Sequence, residues 1–240
     1  MKPLVLLHGF LGQPSHFDGV RAHLGPVAGT AAPRLPGHGP EGALTAGGTW
    51  DDAVEALSSV VPAGAVLCGY SLGARLALGI SRRRLDLGAL VLLSGHPGLD
   101  DSSSRGDRLQ EDAARALRLE RDGLRAFADS WGEEPIVKLF AASQSERDAR
   151  TEARRDHTLA GIAWSLRVLG LGAMPPMDAV LRTRPYPVRL VTGEHDEKFT
   201  TIARARSSPT TSVYVAPDAG HDVCLDAPAF VAAVLRGALA

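Results

Sequence analysis

The chain alternates short, wholly apolar runs with longer segments of helical period. Leu4 to Leu7, Ala65 to Cys68, Ala89 to Leu93, Val188 to Val191 and Val213 to Val215 show no polar alternation. Runs of that kind read as strands covered on both faces. Val27 to Ala32 is a weaker sixth. Ser15 to Leu24, Leu72 to Arg83 and Pro228 to Leu235 read as helices. So does the stretch opened by Thr49, an N-cap with Asp51 and Asp52 in the first turn, where the helix dipole favours anions. Ala53, Val54, Leu57, Val60 and Val61 give that helix its apolar side. Strand and helix in alternation predict an α/β protein, a mostly parallel sheet with helices on both faces.

The rhythm stops from about Pro97 to Val180. There the apolar positions (Leu109, Ala113, Ala116, Leu117, Leu124, Phe127) keep a helical spacing among many charges, with almost no strand-like run. The expected organisation is therefore a core of residues 1–96 and 181–240 with a helical insertion at 97–180. An insertion that leaves after the strand ending at Leu93 emerges at the carboxyl edge of the sheet, where ligands bind in such folds. It reads as a lid. Ser102, Ser103 and Ser104 near its start suggest a flexible entry.

Composition narrows the function. The 240 residues suit one large domain with an insertion, and a net charge of −1 from 26 basic and 27 acidic residues lacks the footprint of a nucleic-acid binder. Cys68 and Cys224 are too few for a disulfide framework, fit a reduced, cytoplasmic setting and read as small buried fillers. The apolar run near the N-terminus is too short for a signal-peptide core. The longest uncharged stretch, Ala56 to Ala74, is broken by Pro62, Gly64, Gly69 and Gly73, so no membrane span is expected. A monomer or weak homo-oligomer is the expected state.

The sharpest chemical signal is Gly69-Tyr70-Ser71-Leu72-Gly73 between a predicted strand and a predicted helix. A nucleophilic serine on so tight a turn needs glycines beside it, because side chains there would clash. Ser71 needs a base, and the base an orienting acid. His221, in Ala219-Gly220-His221-Asp222, lies in a loop before the last helix, and Asp196 lies just past the strand ending at Val191. Glu194 is the rival acid. The order serine, acid, histidine is that of the α/β-hydrolase fold. After the first strand comes His8-Gly9-Phe10, where the Phe10 amide can join that of Leu72 in an oxyanion hole, with His8 bracing the loop. Arg75, one helical turn beyond Ser71, places a cation at a helix N-terminus against the macrodipole; a carboxylate-bearing substrate would account for it. No zinc-like cluster and no phosphate-binding glycine motif is present, so no cofactor or metal is expected.

Taken together, Leu7 to Gly12, Leu35-Pro36-Gly37-His38-Gly39, Gly69 to Arg75, Gly95-His96-Pro97-Gly98-Leu99 and Gly193 to Phe199 resemble the SHCHC synthase branch of the α/β-hydrolase superfamily. These are 2-succinyl-6-hydroxy-2,4-cyclohexadiene-1-carboxylate synthases of menaquinone biosynthesis. The likeness runs along essentially the whole chain, although Ala74 stands where the branch usually has glycine. The resemblance implies a lyase on a hydrolase frame. His221, steered by Asp196, deprotonates Ser71, which takes a proton from carbon so that pyruvate leaves, with no acyl-enzyme. It also implies substrate contacts from Arg75, Arg108, Arg154, Trp131 and Tyr70, with Arg155 competing for the place of Arg154. A serine carboxylesterase or carbon–carbon bond hydrolase acting on a small carboxylate-bearing substrate is the alternative, and a non-enzymatic descendant of the fold a third.

Overall fold

The computed structural model describes residues 2–42 and 48–240; Met1 and residues 43–47 lie outside the described residues. In chain order the regular elements are β1 (Leu4–Leu7), α1 (Asp18–Leu24), β2 (Thr30–Ala31), α2 (Trp50–Ser58), β3 (Val66–Tyr70), α3 (Leu72–Arg83) and β4 (Ala89–Leu93). Four helices follow, α4 (Ser102–Asp122), α5 (Leu124–Gly132), α6 (Gln144–Arg155) and α7 (Leu159–Val168). The chain closes with α8 (Asp178–Arg182), β5 (Val188–Gly193), α9 (Glu197–Arg204), β6 (Thr211–Ala216), α10 (Val223–Asp226) and α11 (Pro228–Leu239).

The strands form one parallel sheet in the order β2-β1-β3-β4-β5-β6. Successive strand residues face opposite sides, and both sides are covered. Val5, Leu7, Leu67, Leu90 and Leu92 pack beneath α2 and α3 with Trp50, Val54, Leu76 and Ile80. Leu4, Leu6, Val66, Val91 and Leu93 pack against Phe17, Val20, Val231 and Leu235 on the side of α1 and α11. This is why the strands carry no polar alternation.

Thr49 closes a reciprocal cap on α2: it accepts from Asp52 N at 3.2 Å while its own N–H donates to Asp52 Oδ2 at 3.0 Å. The weak strand expected over 27–32 shrinks to Thr30–Ala31, because Gly25 and Gly29 turn the chain at φ 79° and 73° just before it. The segment read as one helix from Ser15 begins as a 3-10 turn, Pro14–Phe17, before α1. The serine-rich entry to the insertion is not loose. Asp101 accepts from Ser104 N at 2.6 Å, and Ser102 opens a helix of 21 residues. α9 has no counterpart in the sequence reading: it is short and buries only Phe199, Thr200 and Ala203.

α4 lies against α7, and α5 against α6, above the carboxyl ends of the strands. Ala116, Leu119, Phe127, Ile162 and Leu166 from these helices share an apolar cluster with Leu11, so the insertion is pinned to the loop after β1. Among the described residues no helix is long and apolar enough to cross a membrane.

Candidate active site

Ser71 joins β3 to α3 at φ 50°, ψ −105°, a backbone conformation costly for any residue with a side chain. The glycines on either side permit it. A Cβ on Gly73 would overlap the carbonyl oxygens of Leu7 and His8, and one on Gly69 would overlap the Gly73 carbonyl. The turn that carries Ser71 is thus pressed against the end of β1.

His221 Nε2 lies 3.1 Å from Ser71 Oγ, and its Nδ1 lies 2.7 Å from Asp196 Oδ2. A carboxylate can only accept there, so Nδ1 carries the proton and Nε2 is left to accept from the serine hydroxyl. Asp196 also caps α9. The rival acid is occupied elsewhere: Glu194 is exposed and accepts from Asp218 N at 3.1 Å. The amides of Phe10 and Leu72 donate to no acceptor among the described residues, and both residues line the cavity beside Ser71.

The loop carrying Phe10 is held by neutral histidines. His8 Nε2 accepts from Leu35 N and His38 Nε2 from Leu11 N, each at 3.2 Å; His157 Nδ1 accepts from Gly39 N at 2.8 Å. Burial, and then a neighbouring histidine (His38 for His8, His157 for His38), hold His8 well below the ordinary histidine range and His38 at about 3. Burial pulls His157 down to about 4.

The cavity encloses about 120 Å³. Its polar lining is dominated by cations: Arg75, Arg108, Arg115 and Lys198 against one carboxylate, Asp112. Phe10, Trp131 and Phe199 supply apolar walls. Asp112 is 2% exposed and accepts from Arg108 Nε at 2.9 Å, Arg115 Nη1 at 3.3 Å and Gly172 N at 3.3 Å. Arg75 Nη1 donates to Leu169 O at 2.7 Å. Burial and then the neighbouring Arg108 pull the Arg75 guanidinium down to about 9, with Asp112 opposing, so it remains charged at neutral pH. His96, also on the lining, is pulled by burial and by Lys198 to about 4 and stays neutral.

Of the residues implied by the resemblance, Arg75, Arg108 and Trp131 share the cavity with Ser71. Two do not line it. Tyr70 is buried behind the nucleophile, its ring against Gly9 and stacked on His16 at 4.8 Å. Arg154, 5% exposed, packs against Gly132; its Nε and Nη2 have no hydrogen-bond partner among the described residues. Burial, then Arg150, pulls it down to about 10. Arg155 points outward and pairs with Asp129 and Glu152. The sequence reading missed Asp112, Arg115 and Lys198 as lining residues. The spacing of Arg108, Asp112 and Arg115 on one helix face was the available signal. His16, Asp222 and Cys224 place donor atoms within 4.8 Å of one another, yet Arg150 lies 3.6 Å from Asp222 Oδ2 and already meets its charge.

A serine on a strand-to-helix turn, served by an acid and a histidine from later strand ends, is the arrangement this fold presents at its carboxyl edge. The chain belongs to the alpha/beta hydrolase family, whose profile matches residues 4–234. Within it the chain falls among the 2-succinyl-6-hydroxy-2,4-cyclohexadiene-1-carboxylate synthases. It is 35% identical to the one from Enterobacter sp. (strain 638) over 97% of this chain and 89% of that protein. To the one from Klebsiella pneumoniae (strain 342) it is 34% identical, over 99% and 93%. Among solved structures, MenH from S. aureus superposes with a TM-score of 0.86 at 24% identity, covering 99% of this chain and 93% of that one. An esterase from Thermogutta terrifontis superposes at 0.76 with 23% identity, over 100% and 89%. At those identities the superpositions speak for the fold.

Proposed function

We propose that this protein is an SHCHC synthase, a carbon–oxygen lyase. It eliminates pyruvate from 2-succinyl-5-enolpyruvyl-6-hydroxy-3-cyclohexene-1-carboxylate to leave 2-succinyl-6-hydroxy-2,4-cyclohexadiene-1-carboxylate. The observation that carries this reading is the cationic lining of the cavity around Ser71: Arg75 and Lys198, beside Arg108 and Arg115, which share Asp112 and Glu111. The substrate bears three carboxylates, a neutral ester none, and guanidinium groups bind carboxylates with two parallel hydrogen bonds. The names of the curated relatives support the same reaction.

The chemistry follows from the site. His221, its Nδ1 proton held by Asp196, takes the Ser71 proton on Nε2. The serine oxygen removes the ring proton beside the succinyl ketone, and the Phe10 and Leu72 amides stabilise the resulting enolate oxygen. The electron pair moves through the ring double bond as the ring carbon–oxygen bond breaks. Pyruvate leaves as its enolate and is protonated, and the ring keeps two double bonds. The proton held on His221 Nε2 goes to the departing pyruvate enolate, Ser71 keeps the ring proton as its hydroxyl, and no acyl-enzyme forms. Arg75 and Arg108 hold carboxylates, and Trp131 walls the ring site. Tyr70 and Arg154 act from behind that lining. No cofactor enters this reaction, and a cytoplasmic setting is part of the reading.

The test is release of pyruvate from the enolpyruvyl substrate, followed with lactate dehydrogenase. Pyruvate at the rate of substrate loss is the expected result. Rapid hydrolysis of p-nitrophenyl acetate through an accumulating acyl-serine, with no pyruvate, would favour the esterase alternative.

A further inference from the structure

Arg150 lies on α6, in the insertion, and has no place in the cavity. It is 5% exposed, and its guanidinium faces two core loops at once. Nη1 donates to Leu11 O at 3.3 Å, and Nε lies 3.6 Å from Asp222 Oδ2. Leu11 follows Phe10 and sits at φ 51°, a strained position at the tip of the loop that offers the Phe10 amide. Asp222 follows His221.

We propose that Arg150 is a positioning residue, fastening the loop of the oxyanion-hole donor Phe10 to the loop of the base His221 from above. Any drift of α6 moves both loops together. The fastening continues inward. Asp222 Oδ1 is 3.0 Å from His16 Nε2, and the His16 ring stacks on Tyr70, the residue before Ser71, with only 13° between the planes. Donor loop, base loop and nucleophile turn are thereby linked through one buried carboxylate.

The charges agree with that geometry. Burial alone would raise the Asp222 carboxyl; His16 and Arg150 instead hold it down to about 2, so it is an anion at neutral pH. Burial keeps His16 below the ordinary histidine range. Arg150 is then the full positive charge facing Asp222 at closest range. Without it the buried anion, one residue from His221, keeps only His16 beside it and no full positive charge, and the Leu11 carbonyl loses a donor.

The inference rests on the assignment of Ser71, His221 and Phe10 made above, and the probe separates the two. Phosphonylation of Ser71 by a fluorophosphonate needs the activated serine and the oxyanion hole but no pyruvate chemistry. The expected result is a fall of about ten- to a hundredfold in phosphonylation rate and in kcat for pyruvate release in Arg150→Met, with KM changed less than threefold. Arg150→Ala should regain rate on addition of guanidinium ion. Adding Asp222→Asn to Arg150→Met, which removes the buried anion, should cost far less than the product of the two single losses. If Arg150→Met does not fold, the double variant and Arg150→Lys carry the same comparison. Equal phosphonylation rates in wild type and Arg150→Met, or strictly multiplicative losses without guanidinium rescue, would overturn the role of Arg150 alone. A wild-type protein that reacts at Ser71 yet releases no pyruvate would overturn only the lyase reading. No reaction at Ser71 in wild type would end both.

Discussion

Arg75 reaches from the first turn of α3 to the carbonyl oxygen of Leu169, 2.7 Å away at the C-terminal end of α7. A cation at a helix N-terminus is unfavourable, but here it meets the negative end of a second helix dipole, which holds it in place before any substrate arrives. The sequence reading assigned that compensation to a substrate carboxylate; the Leu169 carbonyl already supplies part of it.

Arg75→Ala should therefore lower kcat/KM for the tricarboxylate substrate by about ten- to a hundredfold, the scale of a lost charge-assisted hydrogen bond. Turnover of p-nitrophenyl acetate, which has no carboxylate to place, should change less than threefold. Steady-state kinetics on both substrates decides it: equal losses would remove Arg75 from anion binding.

Ser71→Ala removes the base and leaves the cavity cations in place. Pyruvate release should fall by at least about a thousandfold, the usual scale for loss of a nucleophile-turn serine, while substrate affinity measured by calorimetry stays within threefold. A variant retaining a tenth of the rate would mean that another group takes the carbon proton.

Gly73→Ala tests the packing of the nucleophile turn. The added methyl would drive into the Leu7 and His8 carbonyls, backbone atoms that cannot swing aside. A loss of more than about 3 kcal/mol in urea unfolding is expected, in the upper range for point substitutions. Gly64→Ala, where a Cβ meets nothing within 4 Å but φ is 70°, should cost only about 1 kcal/mol. Similar losses at the two sites would refute the close approach.

Stability should fall in mild acid. Burial holds His38 at about 3 and His96 and His157 at about 4 in the folded chain, and depresses His8 and His16 as well. Below the unfolded histidine value near 6.5 the unfolded chain binds more protons, so unfolding gains on folding as pH drops toward those folded values. Each such proton contributes about 1.4 kcal/mol per pH unit. Urea unfolding between pH 7 and 5 should show a slope steeper than one proton allows. A flat profile there would show that these histidines are charged, or hydrated, when folded.

Much of this was legible in the residues. Buried strands announce themselves by apolar runs, and the nucleophile turn by its paired glycines, because backbone sterics act locally. Ser71, Asp196 and His221 were found through residue type and position at strand ends, and the structure sets them within hydrogen-bond reach. The lid resisted. Which arginine on an exposed-looking helix turns inward depends on the partners packed around it: Arg108 and Arg115 face the cavity beside Asp112 of the same helix, which the Gly172 amide helps to hold. Arg154 is drawn into the interior beside Gly132, while Arg155, its neighbour, is taken outward by Asp129. The serines after Asp101 read as slack because serine alone is ambiguous between turn and helix start; the aspartate cap decides it.

Asp196 and His221 come from the last fifth of the chain, whereas the turn that carries Ser71 ends at Gly73. On the proposed function the growing polypeptide therefore carries the reactive hydroxyl well before the residues that activate it have been made. Activity on that reading waits for the stretch beyond Val188, whose strand β5 pairs with β4. A product ending before His221 is expected to release no pyruvate.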